Sequence, residues 1–167
     1  MADIVELIYA DHDYFRRYFF LLDQATTDAE REAIWEPLAT RLDTHAEAEE
    51  VVFYPVLLKK GEAGDPEDET EDAIGDHNKI RDAVRAARRH KIGTKAWAEA
   101  VEDARKENGE HLEEEEREAI PDFLKSASAA DRHRLAMEWL QFYYQHPAGR
   151  GVDDSDRDVE EYIEENS

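Results

Sequence analysis

The stretch from His45 to Pro55, "HAEAEEVVFYP", sets a histidine four residues before a glutamate inside a long helical pattern. In a chain with 43 Asp and Glu among 167 residues, one such spacing carries little weight. Its meaning comes from a second stretch, "HLEEEEREAIP", His111 to Pro121. From His45 the offsets run to Glu49, Glu50 and Pro55; from His111 they run to Glu115, Glu116 and Pro121. Upstream, "DHDYFR" (11 to 16) matches "DHNKIR" (76 to 81), with an Asp-His pair and an Arg four residues after the His. His12 precedes His45 by 33 residues and His77 precedes His111 by 34, so the chain contains an internal repeat.

Residues four apart on a helix share a face, with Cβ atoms about 6 Å apart. His45 with Glu49, and His111 with Glu115, can each aim an imidazole and a carboxylate at one point. His12 lies in line with Ile8, Phe15 and Phe19, and His77 with Ala73, Ile80 and Val84, so these histidines belong to core-facing stripes. Four imidazoles and two carboxylates would therefore meet in the interior. Buried uncompensated, each carboxylate costs several kcal/mol or more, and adjacent anions repel. A pair of divalent or trivalent cations removes both penalties. The chain has no cysteine, so the ligands come from His, Asp, Glu and water, a donor set that suits iron, manganese or zinc. Two imidazoles per metal and two shared carboxylates leave positions for a bridging oxide or hydroxide and for an exogenous molecule such as dioxygen.

Glu50 and Glu116 lie about 100° around the helix from Glu49 and Glu115, which places them at the surface or behind the ligands. Asp11 and Asp76 point off the ligand face, to orient histidines of neighbouring helices or to pair with Arg16 and Arg81. The rest of the acidic run after His111 reads as a solvated face. His90, His133 and His146 fall outside the repeat and read as solvated. Tyr9, Tyr14, Trp35, Tyr54 and Trp97 fit either plain core or the lining of an access channel.

Apolar residues recur at helical spacing nearly throughout, and no period-2 strand stands out. Turn chemistry at 26–30, 59–68, 91–96 and 125–131 divides the chain into five helical segments. They run from about Ile4 to Ala25, Asp28 to Lys60, Pro66 to His90, Thr94 to Lys125 and Ala130 to His146. Pro37 starts or kinks the second, and Pro147 stops the fifth. The fold expected is all-α: an antiparallel up-and-down four-helix bundle over residues 1–127, an added helix packed on it over 128–146, and an acidic flexible tail or one short helix over 147–167.

The formal net charge of -22 opposes binding to nucleic acid or an anionic membrane. The 41% hydrophobic content and 10% aromatic content favour a folded domain with an acid-coated surface over disorder. Abundant acid with few lysines resembles the surfaces of halophilic proteins from salt-accumulating microbes. The first residues, "MADIVELIYADHD", carry acid where a secretory signal carries base, so a cytoplasmic protein is expected. No triad, phosphate loop or dinucleotide signature supports other catalysis.

The doubled His and His-x-x-x-Glu units resemble the haemerythrin-like HHE cation-binding family over residues 4 to 125. The resemblance implies a four-helix bundle with a non-haem di-iron centre, used in handling dioxygen, nitric oxide or peroxide or in oxygen and iron sensing. It carries His12, His45, His77 and His111 onto the histidine ligands and Glu49 and Glu115 onto the bridging carboxylates, with zinc or manganese as substitutes for iron. Oxygen carriers of the family have a further histidine one turn before the third-helix ligand, where this chain has Ala73. That departure implies a more open, reactive centre in place of reversible oxygen storage. A ferroxidase-type enzyme and an iron-dependent regulatory module are the alternative readings.

Overall fold

The computed structural model describes residues 1–61 and 64–167, so part of the turn expected at 59–68 lies outside the described residues. Among the described residues the regular structure is helical throughout and contains no strand. The helices are α1 (Ile4–Gln24), α2 (Asp28–Ala48), α3 (Tyr54–Lys60), α4 (Pro66–Arg88), α5 (Lys95–Arg117), α6 (Ala119–Ser126), α7 (Ala129–Gln145) and α8 (Val159–Asn166). None of them is long and apolar enough to cross a membrane.

Side-chain caps satisfy the free N–H groups at the helix starts. Asp3 accepts from the Val5 N–H at 3.0 Å, and Thr27 with Glu30 forms a reciprocal capping box at the start of α2. Ser128 and Asp131 form the same box at the start of α7. Pro37 sits inside α2 without ending it, although its missing N–H leaves the Ala33 carbonyl without the usual helical partner.

The helix expected to run continuously to Lys60 instead opens into a π-helical turn at Glu49–Phe53, where the Tyr54 N–H reaches back to the Glu49 carbonyl. Pro55 explains part of this, because it has no N–H to offer the carbonyls of the preceding turn. The Tyr162 hydroxyl from α8 donates to the Glu50 carbonyl instead. The second half breaks at the corresponding place: Glu118 departs from helical geometry (φ -121°, ψ -72°) between α5 and α6, three residues before Pro121. The single helix expected over 94–125 is therefore two.

Two apolar clusters lie on either side of a polar layer. Ile4, Ile8, Val52, Phe53, Ile74, Ile120 and Phe123 belong to one, and Phe15, Trp35, Leu42, Ile80, Val84, Trp97 and Leu112 to the other. Along α1 and α4 the chain passes from the first cluster to the second. Through α2, and from α5 into α6, it passes from the second to the first. His12, His45, His77, His111, Glu49 and Glu115 fall between them, each at most 3% exposed.

Helix α7 buries Leu135, Ala136, Trp139 and Phe142 against the first cluster. Residues 147–167 hold a short 3-10 turn, Pro147–Gly149, and α8, whose Tyr162 and Ile163 are buried in that cluster. Replacing Tyr162 with Phe leaves the Glu50 carbonyl buried without its donor, which costs about 1–3 kcal/mol. Urea unfolding of Tyr162→Phe should show that loss, while Tyr144→Phe at a position 85% exposed should be neutral.

Candidate metal centre

Helices α1, α2, α4 and α5 each deliver one histidine to the polar layer. His12, His45, Glu49 and Glu115 offer ligand atoms that all lie within 4.8 Å of one another, and Glu49, His77 and His111 do the same. Glu49, at the start of the π-helical turn, belongs to both groups. Its Oε1 lies 2.9 Å from His45 Nε2, and its Oε2 lies 3.1 Å from His77 Nε2. Glu115 joins only the first group: Oε2 lies 3.1 Å from His12 Nε2, while Oε1 accepts from the Tyr54 hydroxyl at 2.9 Å. All six predicted ligand residues are thus brought together, with Glu49 alone common to both groups.

Three of the four imidazoles are oriented by a carboxylate at Nδ1. His12 Nδ1 lies 2.7 Å from Glu116 Oε1, His45 Nδ1 lies 3.1 Å from Asp11 Oδ2, and His77 Nδ1 lies 2.9 Å from Glu50 Oε1. An ionised carboxylate only accepts, so these contacts place a proton on Nδ1 and, in the neutral ring, turn the Nε2 lone pair inward. His12 Nε2, His45 Nε2, Glu49 Oε1 and Glu115 Oε2 are buried and make no aligned hydrogen bond. Nε2 of His77 and His111 stand 3.2 Å apart. In the first group the buried acceptor atoms meet no aligned partner, and in both groups imidazole nitrogens and carboxylate oxygens crowd together as the ligands of a cation do.

The repeat exchanges partners between its halves. Arg16, four residues after His12, donates to Glu116 Oε1 at 2.8 Å, and Arg81, four residues after His77, donates to Glu50 Oε2 at 2.9 Å. Of the two places left open for Glu50 and Glu116, the structure takes the one behind the ligands: Glu50 is 3% exposed and holds His77, and the half-buried Glu116 holds His12. The offset of plus five, duplicated in both halves, was the signal for both. Asp11 follows the histidine-orienting reading, and Arg41 also donates to it. Asp76 accepts from Lys79 at 2.7 Å instead of pairing with Arg81.

The carboxyl-terminal segment reaches the same carboxylates. The Tyr143 hydroxyl donates to Asp11 Oδ2 at 2.8 Å, and Trp139 packs edge-on with its ring centre 5.5 Å from that of His45. Arg157 donates from Nε to Glu50 Oε2 at 3.0 Å. None of these residues belongs to the repeat, and the sequence carries no sign of them. Among the aromatics considered for a channel, Trp35 and Trp97 form core with ring centres 6.2 Å apart, while Tyr54 lines a cavity beside Ala73. That cavity, about 20 Å³, ends on His111 and Glu115 and has room for roughly one water. His90 is exposed, whereas His133 and His146 are half-buried and meet backbone carbonyls through Nδ1.

Electrostatics follow this geometry in the metal-free chain. Burial alone would lower the His45 imidazolium, but Glu49 and Asp11 raise it to about 10. Burial would raise Glu50, but His77 and Arg81 hold it at about 2. Glu49 is likewise held well below the usual carboxylate range, against its burial, by His45 and the hydrogen bonds of His111 and His77. Burial pushes the Tyr54 phenol far up, and the neighbouring Glu115 and Glu49 charges add to that, so it stays a donor.

A family model described as the hemerythrin HHE cation binding domain matches residues 3–123. Comparison with curated proteins and with solved structures returns no match. Helix α7 and the segment carrying Tyr143 and Arg157 lie beyond the matched residues.

A proton on His45 stands in for positive charge when no cation is bound, and its folded-state pKa is raised. Its stabilisation is therefore fully present below about 6.5 and is lost as pH rises through about 10. Thermal unfolding of chelator-treated protein should show the midpoint falling across that window. The same scan with metal bound should be flatter, because cation binding displaces that proton.

Proposed function

Because the chain belongs to the hemerythrin HHE cation-binding domain family, we propose that its buried layer holds two iron ions and binds or reacts with dioxygen, nitric oxide or peroxide. The ligands are His12, His45, His77, His111, Glu49 and Glu115. The observation that carries this reading is the convergence of two groups of buried ligand atoms, in the first of which His12 Nε2, His45 Nε2, Glu49 Oε1 and Glu115 Oε2 make no aligned hydrogen bond. Manganese and zinc fit the same donors, and iron is favoured by the family. Bound iron would supply open coordination positions and a change of oxidation state.

The chain's own residues set what such a centre can do. Ala73 puts a methyl group on the wall of the cavity that ends at His111, at the position where the resemblance implies a histidine in oxygen carriers. Room for roughly one water admits a diatomic molecule or peroxide and excludes larger substrates. Tyr54 keeps its proton and holds Glu115 Oε1, and Asp11, Glu50 and Glu116 keep three imidazoles in their orientation. We therefore read the centre as reactive toward small oxidants and not as a lasting oxygen store. The antiparallel up-and-down arrangement belongs to this reading, supported by the alternating order in which α1, α2, α4 and α5 meet the two apolar clusters. A salt-rich cytoplasm would suit the acid-coated surface.

A second reading, an iron- or oxygen-dependent interaction module, is favoured by the contacts of Tyr143 and Arg157 with the carboxylates behind His45 and His77. Metal loading should then change protease sensitivity across residues 126–167. Equal cleavage with and without metal rejects that reading.

Protein purified after growth in ample iron should carry roughly two iron atoms per chain, as other di-iron bundles do, with a near-ultraviolet spectrum that changes on exposure to air. Metal content well under one per chain overturns the proposal, and many stable cycles of oxygenation overturn the reactive reading. Glu50→Gln and Asp11→Asn should each weaken metal binding by about 10–100-fold in a competition titration, as loss of a group behind a ligand does elsewhere.

A further inference from the structure

We propose that the acid-lined cleft beside Ala73 is the entry port for divalent cations, holding them transiently before they pass to the buried ligands; this rests on the metal-centre reading above. The floor of the cleft is His111 and Glu115, each at least 97% buried, and Glu115 Oε2 makes no hydrogen bond. Its walls and mouth carry Glu69 and Asp72 from α4, Glu114 from α5 and Glu118 from the break before α6.

Among the described residues these acids outnumber the cations beside them, which are Arg117 and Lys79, the latter 2.7 Å from the Asp76 that also lines the cleft. Glu118 meets Arg117 at 2.9 Å, but Glu69 is surrounded by Asp122, Glu118 and Asp65, and Asp72 by Asp68, Asp76 and Glu118. Burial first, and then those neighbours, raise both carboxyl groups above their ordinary range. Clustered like charge along a narrow cleft disfavours the fold and focuses negative potential, which raises the local concentration of cations.

The other approaches to the layer carry arginine directly on the carboxylate behind each histidine. Arg16 backs the Glu116 that holds His12, Arg41 backs the Asp11 that holds His45, and Arg81 and Arg157 back the Glu50 that holds His77. On the His12 and His45 sides a cation meets guanidinium groups, and on the Glu50 side, where the surface cavity also carries Asp156, Asp158, Glu161 and Glu165, Arg81 and Arg157 sit directly on the carboxylate that leads to His77. On the His111 side the cation meets carboxylates that can replace its hydration water step by step, in a space of about 20 Å³. The methyl group of Ala73 leaves that space open.

The test is the rate of Co2+ uptake by the metal-free full chain, followed in a stopped-flow instrument through the visible absorption of bound Co2+. The triple variant Glu69→Gln, Asp72→Asn, Glu114→Gln should take up Co2+ about tenfold more slowly, with the final Co2+ content per chain unchanged. Added salt should slow the parent chain more than the variant. A control triple, Glu99→Gln, Glu102→Gln, Asp103→Asn, makes the same charge change elsewhere on α5 and should keep the parent rate. Equal rates in all three proteins, or equal slowing in both variants, overturns the port while leaving the metal centre standing. Failure of every protein to take up Co2+ overturns both.

Discussion

Everything in this fold depends on the mutual repulsion of electron pairs in one buried layer. His45 Nε2 and Glu49 Oε1 stand 2.9 Å apart, and His12 Nε2 and Glu115 Oε2 stand 3.1 Å apart, in places where water does not reach. An uncompensated buried carboxylate costs several kcal/mol, so this arrangement persists only where positive charge is supplied. At His45 a proton supplies it, held there by Glu49 and Asp11 against the effect of burial. Cations supply it more completely, since each can satisfy several donors at once. The apolar clusters on either side serve the layer by excluding water and holding four helices in register around it.

The groups behind the ligands make the repulsion directional. A free imidazole can expose either nitrogen, and a centre needs the same one from every histidine. Glu116, Asp11 and Glu50 make that choice for His12, His45 and His77, and each is steadied by an arginine. The cross-over between halves, with Arg16 on Glu116 and Arg81 on Glu50, ties the two repeats together by the same contacts that orient their histidines. Neither half could make its ligand set alone.

The ligands were legible in the sequence because they repeat. His12 and His77, His45 and His111, and Glu49 and Glu115 share offsets that composition does not explain, and the helical period placed each histidine on an apolar stripe. Glu50 and Glu116 repeat equally well, but the helical period left them open between the surface and a place behind the ligands, and the structure puts both behind the ligands. A helical wheel describes one helix, and a residue about 100° off its ligand face can be the inward face toward a neighbour. The paired Arg16 and Arg81 were the clue that an acid awaited each of them, the half-buried Glu116 for one and the buried Glu50 for the other. Tyr143 and Arg157 were not legible at all: their partners lie more than 100 residues away in sequence, outside the repeat and outside the matched family residues.

The prolines at Pro55 and Pro121 show how a local backbone defect reaches the centre. On the regular helix α5, Glu115 and Glu116 both serve His12, one at each ring nitrogen, whereas Glu49 and Glu50 reach two different histidines, His45 and His77. The π-helical turn begins at Glu49, and there Glu49 contacts both ligand groups while Glu50 turns to His77. Pro55 withholds an N–H from that turn, and the Tyr162 hydroxyl fills the vacancy at the Glu50 carbonyl while Arg157 holds the Glu50 carboxylate. One residue is thus fixed at its backbone and its side chain by the same carboxyl-terminal segment. Displacing that segment removes the carbonyl's donor and one of the two arginines from Glu50, leaving Arg81 alone on the carboxylate that orients His77, so the position of α8 and the affinity of the layer for cations are coupled in both directions.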